Sequence, residues 1–403
     1  MPPAAATAPG YGATVAALAL GQLLTWAALF YGFSSFVLPM QRELHWDLSV
    51  LMGANTLGLA VYGAASYGIG AAIDRGRGRL VMTGGALLGG LGCVAWSRVD
   101  AVWMLYAVWV LLGLAMAATL YEPAFAVLTK RYPERYRHGI TALTLVGGFA
   151  STLSFPAAAL LIDMLGWRPA LLLIGALLIG VAPLHAWALR GTGVVSLDAG
   201  RDAAADATMH QALRMPTFWL LTAAFTLYAL APSGLWAHAW PAFADKGVAQ
   251  ADALAVLACI GPSQVAGRLV FAWIGRAWSL RLLGTIVLAL MPVAMALFAL
   301  GDGFAAMLLF ALLFGIANGL VTIVRGGIVP LYFGRAHIGR IGGLMAAVGF
   351  LARAGAPLLV AALLAWLPGY RELLLLLALI GAVAVVAFWL AGPPATDRLK
   401  PAN

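Results

Sequence analysis

Four ionisable residues lie inside long apolar segments of this 403-residue chain: Glu122, Arg268, Arg325 and Arg353. A charge in hydrocarbon is costly, so one that persists there usually faces a cavity or a polar pathway. An arginine guanidinium binds a carboxylate or a phosphate through paired, charge-assisted hydrogen bonds. Even if Glu122 neutralises one arginine, two cations remain. The four residues therefore predict a binding site for a small anion.

Polar side chains extend two of these positions into stripes along a helix. Gln264 and Arg268 are four residues apart and share a helix face. Asn318, Thr322 and Arg325 follow each other at i, i+4 and i+7, which is one stripe of a helix. Polar stripes on apolar helices point away from lipid. The predicted substrate contacts are Arg353, Arg268, Gln264, Asn318 and Thr322.

Three further residues are candidates for proton coupling or for a gate: Glu122, Arg325 and His238. Glu122 precedes Pro123, which frees a backbone carbonyl and loosens a helix. It could carry a proton or pair with an arginine. Arg325 is near the end of its span and could instead reach the membrane interface. Histidine is a residue type that can relay protons, but the tryptophans that flank His238 are typical of an interfacial belt.

The elements that must position these residues are membrane-spanning helices. Of the chain, 63% is apolar and only 10% is charged, and the apolar runs approach twenty residues, enough for a core of about 30 Å. Their continuity favours helices over an alternating barrel pattern. We predict an all-α membrane protein with twelve spans: 14–38, 50–73, 80–98, 102–126, 138–162, 169–190, 216–240, 252–274, 280–300, 304–328, 338–364 and 370–391.

The short loops leave no room for a soluble catalytic domain. We therefore expect no enzyme activity, cofactor, metal site or nucleic-acid partner.

The orientation of the chain in the membrane follows from its Lys and Arg residues, which favour cytoplasmic loops. With both termini cytoplasmic, sixteen of the 24 basic residues lie inside and five outside. The prediction is a multi-pass protein of the plasma (inner) membrane, monomeric, in contact with the lipid bilayer.

The chain also repeats itself. With a shift of about 202 residues, Pro39 falls on Pro241, and Glu122 falls within one residue of Arg325. Opposite charges at equivalent positions predict a gate in which Glu122 pairs with Arg325. The predicted divisions are a six-helix half at 1–190, a cytoplasmic linker at 191–215 and a second six-helix half at 216–403. An even number of spans in each half makes the repeats parallel, as in transporters that bind substrate near the midplane.

The loop after the second span carries a motif that runs from Gly70 through Asp74 and Arg75 to a basic cluster ending at Arg79. The motif and the twelve-span repeat resemble the major facilitator superfamily across essentially the whole chain. The resemblance implies that family's fold and alternating access. We interpret Asp74 and Arg75 as a conformational latch. The second-half copy of the motif, around Gly275, lacks the acid.

Gly267-Arg268 in the eighth span and Arg353 in the eleventh resemble the bacterial branch that includes oxalate/formate antiporters and monocarboxylate transporters. In that branch such a pair is implicated in holding a carboxylate. The resemblance implies secondary transport of a small organic anion, by proton symport or anion exchange. Trp109 replaces the arginine that many proton-coupled members carry in the fourth span.

Two other functions stay open. One is efflux of a hydrophobic or cationic compound, for which aromatic side chains could line a pocket: Trp26, Tyr31, Tyr62, Trp109 and Tyr228. Drug/proton antiporters of the superfamily typically carry a Gly-Pro pair in the fifth span. The absence of such a pair from this chain's fifth span weakens the efflux interpretation. The other is a sensor or scaffold that transports nothing.

Overall fold

The structure is a computed structural model that describes residues 8–191, 206–274 and 278–392. The secondary-structure elements of the described residues are helices, and twelve helical segments among them are long and apolar enough to cross a membrane. The predicted fold class is confirmed. The chain divides into two compact units: Met1–Asp206 with Arg335–Ala347, and Ala207–Gly334 with Val348–Asn403. Most of the predicted linker lies outside the described residues, and the division at 191–215 stays a prediction.

The helices of the first unit form the first six spans. They are α1 Tyr11–Thr25, a π-helical segment Trp26–Tyr31, α2 Gly32–Leu44, α3 Leu48–Asp74, α4 Gly78–Trp96, α5 Val102–Thr119, α6 Tyr121–Arg131, α7 Tyr136–Gly147, α8 Ala150–Leu165 and α9 Trp167–Ala188. The helix α4 packs against α5 and α9, and α3 packs against α5. A Cβ added at Gly90 would lie 2.7 Å from the carbonyl oxygen of Gly175. Only small residues allow α4 and α9 to approach so closely.

Three spans of the first unit are irregular. The first contains the π-helical segment, the fourth is broken at Leu120 between α5 and α6, and the fifth is broken between α7 and α8. Leu120 has an extended backbone, with φ −74° and ψ −159°. Irregular backbone at membrane depth is tolerated where it is buried in protein or lines a cavity. Broken spans are also typical of substrate sites in transporters.

The second unit holds the remaining spans. Its helices are α10 Met209–Arg214, α11 Pro216–Asp245, α12 Gln250–Ile274, α13 Leu280–Leu300, α14 Gly303–Phe333, α15 Ile338–Leu364 and α16 Tyr370–Leu390, of which the first ten residues of α15 belong to the first unit. The helix α14 packs against α12 and α13, and α16 packs against α11 and α13. Phe298 lies between Phe243 and Phe310, with ring centroids 4.6 Å from each. This aromatic core joins α11, α13 and α14.

Candidate functional site

The most deeply buried arginine of the described spans is Arg268 on α12, which is 3% exposed. Its Nε donates a hydrogen bond to the carbonyl oxygen of Gly319 on α14, at 2.9 Å. The hydroxyl of Thr322 donates to the same carbonyl, also at 2.9 Å. The Nη1 of Arg268 is buried and has no hydrogen-bond partner among the described residues. A buried charged donor without an acceptor is unfavourable, so this atom is suited to bind an anion.

Two glycines on α14 bring this carbonyl within reach of Arg268. A Cβ at Gly319 would lie 2.6 Å from the backbone oxygen of Gln264, and one at Gly315 would lie 2.6 Å from that of Ile260. The backbones of α12 and α14 therefore approach closely at this level. Gln264 contributes backbone to the contact, and the residue is half-buried. Sequence reasoning missed this role of the glycines, although their four-residue spacing is a known signal of close helix packing.

Two more arginines meet at one aromatic ring. The guanidinium carbons of Arg325 on α14 and Arg353 on α15 lie 5.7 and 5.6 Å from the ring centroid of Phe350. Both distances are within cation–π range. Arg353 is also close enough to the buried Tyr228 of α11 for an electrostatic interaction. Arg325 follows Gly319 by six residues, about 9 Å along the helix. Phe350 was not among the sequence-predicted residues.

No acid lies inside the spans of the second unit, within its described residues. The acids there stand at helix ends: Asp245, Asp252, Asp302 and Glu372. The charged side chains inside the described spans of this unit are therefore arginines. Asn318, half-buried, precedes Gly319 on α14. His238 lies at a different level of α11, because it follows Tyr228 by about 15 Å along the helix. Its ring faces the Tyr370 hydroxyl at 3.4 Å.

Glu122 lies in the first turn of α6, next to the break in the fourth span. The hydroxyl of Tyr62 donates a hydrogen bond to its Oε2, at 2.5 Å. Pro123 has no N–H, so the carbonyl of Thr119 loses its helical partner. Gln22 replaces that partner, because its Nε2 donates to this carbonyl at 2.6 Å. The helix is therefore interrupted at Pro123, as expected. The side-chain amide of Gln22, which is buried in the first span, donates to the carbonyl that the proline leaves without a partner.

An aromatic cluster surrounds this break. The ring of Tyr121 lies 4.8 Å from Trp26 and 5.2 Å from Phe125, which it stacks against. Trp26 also contacts Phe30, at 4.8 Å. A Cβ at Gly147 would lie 2.6 Å from the Tyr121 hydroxyl, so the glycine admits this ring. The sequence analysis named Trp26 as a candidate pocket residue, which stays a prediction, and it did not name Tyr121, Phe125 or Phe30.

Asp74 binds the first turn of α15. Its two carboxylate oxygens accept the backbone N–H groups of Gly339 and Arg340, both at 2.9 Å. Lys130 pairs with the same carboxylate at 3.1 Å and donates to the carbonyl of Ala336 at 2.9 Å. A carboxylate at a helix N-terminus is stabilised by the helix dipole. All of these residues belong to the first unit.

The second predicted latch residue, Arg75, is exposed. A different acid adds to the contact: Asp206 accepts the backbone N–H groups of Arg335 and Ala336, at 2.9 and 2.8 Å. Sequence reasoning missed Asp206 and Lys130. The second-half copy of the motif, around Gly275, lies outside the described residues.

Comparison with known proteins agrees with the twelve-span fold. The family model of the Major Facilitator Superfamily matches residues 18–357. The structure resembles the human organic anion transporter MFSD10 (TETRAN), with a TM-score of 0.72 at 18% identity over 95% of this chain and 100% of that one. It also resembles the transporter FucP in its outward conformation, with a TM-score of 0.72 at 13% identity over 94% and 98% of the two chains.

The family match and the twelve candidate spans together define a multi-pass membrane transporter. The chain belongs to the Major Facilitator Superfamily. Among its relatives is monocarboxylate transporter 11 of Mus musculus, 30% identical over 74% of this chain and 67% of the relative. The Homo sapiens protein of that name is 30% identical over 71% and 65%. An MFS-type efflux pump of Mycolicibacterium smegmatis is 25% identical over 88% and 86%.

Proposed function

We propose that this protein is a secondary active transporter that moves a small organic anion, in particular a carboxylate, across the plasma membrane by alternating access. The observation that carries the proposal is the buried Nη1 of Arg268, which has no hydrogen-bond partner among the described residues. A carboxylate oxygen would supply the missing acceptor. Because no acid lies inside the described spans of this unit, a bound anion would also offset its positive charge.

The shape of an arginine favours a carboxylate over a spherical anion. A guanidinium presents parallel N–H donors that match two carboxylate oxygens. In Arg268 the Nε–H is already directed at Gly319, so Nη1 and Nη2 are the atoms that would face the ligand. The similarity to monocarboxylate transporters supports this substrate class.

Glu122 is the candidate for proton coupling. Its carboxylate accepts the Tyr62 hydroxyl and lies at a break in the fourth span. We propose proton symport through Glu122, with anion exchange as the alternative form of coupling. The Asp74 contacts with α15 would act as the conformational latch, and the pairing of Glu122 with Arg325 as a gate stays a prediction. The orientation with both termini in the cytoplasm and the monomeric state also belong to this proposal.

Ligand-induced thermal stabilisation tests the substrate class. A ligand that binds only the folded state raises apparent stability with its concentration. Detergent-purified protein is heated with acetate, lactate, pyruvate and oxalate, and with matched neutral amides and lipophilic cations. We expect stabilisation by at least one acid and none by its amide. Stabilisation by the cations alone would contradict the proposal.

A second candidate function is efflux of hydrophobic compounds. The aromatic cluster around Tyr121 and Trp26 offers flat apolar surfaces beside a broken span, and one relative is an efflux pump. Under this alternative, lipophilic compounds stabilise the purified protein and expression lowers their accumulation in cells. The Tyr121→Ala variant would then lose efflux, whereas Arg268→Met would keep it.

A further inference from the structure

A pocket of about 470 Å³ lies in the first unit, where α4 begins and α9 ends. Its lining includes Arg77 and Arg79, the apolar side chains of Leu80 and Leu189, and Thr83. None of these residues takes part in the proposed transport site. The positive-inside distribution places this end of the two helices at the cytoplasmic surface.

The charge around the pocket is positive. Arg77 and Arg79 are exposed and flank the start of α4. No side chain within the described residues caps this helix, whose N-terminus carries the positive end of the helix dipole. The hydroxyl of Thr83 is buried and has no hydrogen-bond partner in the described chain. None of the described lining residues is acidic.

The negatively charged groups next to the pocket already have hydrogen-bond or ion-pair partners. The carboxylate of Asp74 is bound by Lys130 and by two backbone N–H groups. At the end of α9, the carbonyl of Ala188 accepts a hydrogen bond from Nη1 of Arg131, at 2.7 Å. This arginine offsets the negative end of the α9 dipole. The two lining arginines therefore have no acid to pair with inside the pocket.

The surface next to the pocket is apolar. Leu80 is 70% exposed, and further exposed side chains follow along the two helices, Leu87 and Leu91 on α4 and Leu177 and Trp187 on α9. Leucines exposed on a membrane-spanning helix face acyl chains, and tryptophan is enriched at the membrane interface. The pocket therefore has arginines at the helix end and lies next to an apolar surface of α4 and α9.

We propose that this pocket binds an anionic phospholipid. The phosphate of its headgroup lies between Arg77 and Arg79 and accepts the Thr83 hydroxyl and the N-terminal amides of α4. Its acyl chains lie along the exposed leucines of α4 and α9. Basic pockets between spans on the cytoplasmic side are suited to such headgroups, and the apolar face favours a lipid over a soluble phosphate. The inference is independent of the substrate that the protein carries.

Native mass spectrometry of the purified full-length protein tests the proposal. The protein is mixed with phosphatidylglycerol or with phosphatidylcholine of the same acyl chains. We expect one phosphatidylglycerol to be retained in preference to phosphatidylcholine. The variant Arg77→Gln/Arg79→Gln should lower that affinity about 25-fold, because each arginine contributes about fivefold near an anionic surface.

The matched control is Arg137→Gln/Arg214→Gln, which removes two exposed arginines elsewhere. It should change the affinity by no more than about twofold. Equal retention of the two lipids, or equal loss in both double variants, would overturn the proposal. Competition by millimolar glycerol phosphate would also overturn it, since the site would then recognise a free phosphate. If the pocket variant does not purify as folded protein, Arg79→Gln alone is measured, with an expected loss of about fivefold.

Discussion

Replacing Arg268 with methionine is expected to abolish carboxylate binding without unfolding the protein. The side chain of Arg268 is almost fully buried between α12 and α14, and among the described residues its one hydrogen bond runs from Nε to the carbonyl of Gly319. Methionine keeps an unbranched apolar stem of similar length. The carbonyl of Gly319 keeps its hydrogen bond from Thr322, so the substitution leaves no acceptor without a donor. Removing a buried charge lowers the desolvation cost of folding, and the melting temperature should therefore stay unchanged or rise.

The effect on binding should be much larger. A hydrogen bond to a charged group contributes about 1.5–3 kcal/mol. If the guanidinium donates two such bonds to a carboxylate, their loss weakens binding by about 3–6 kcal/mol, or about 10²- to 10⁴-fold in Kd. The Arg268→Lys variant keeps the charge but loses the paired donors, so it should fall between wild type and Arg268→Met.

The assay combines ligand-induced thermal stabilisation with counterflow of a radiolabelled carboxylate in proteoliposomes. Arg371→Met is a matched control, because Arg371 is exposed at the start of α16. The control should bind and transport like wild type. If Arg268→Met keeps its ligand-induced stabilisation and its counterflow, Arg268 is structural and the assignment of the anion site to it is refuted.

Three further predictions concern the first unit. Glu122→Gln should lose proton-driven accumulation and keep counterflow, and unchanged accumulation in a pH gradient would remove Glu122 from coupling. Asp74→Asn should speed hydrogen exchange of the Gly339 amide about tenfold, since a hydrogen bond to a charged acceptor is lost; equal exchange rates would show that Asp74 does not hold α15. Gln22→Leu should cost about 1–3 kcal/mol in unfolding free energy, because the buried carbonyl of Thr119 loses its donor; chemical denaturation measures this, and wild-type stability would contradict the role of Gln22.

The fold was predictable from the sequence because its main signal is local. The length of each apolar run is matched to the thickness of the bilayer, and a backbone in lipid must satisfy its hydrogen bonds within its own segment. The break beside Glu122 was predictable for the same reason, since Pro123 removes a donor wherever it stands in a helix. The three span arginines were visible because charge inside an apolar run is rare.

The contacts of the candidate site were not predictable in this way. Arg268 finds its acceptor on Gly319, 51 residues away in the chain, and Asp74 finds its partners 265 and 266 residues away. Which helices become neighbours depends on small residues that let backbones approach, and a single sequence does not state which glycine faces which helix. The position of Phe350 against two arginines likewise depends on the rotation of α15. The residue types therefore indicate an anion site, whereas helix packing decides which donors remain without a partner.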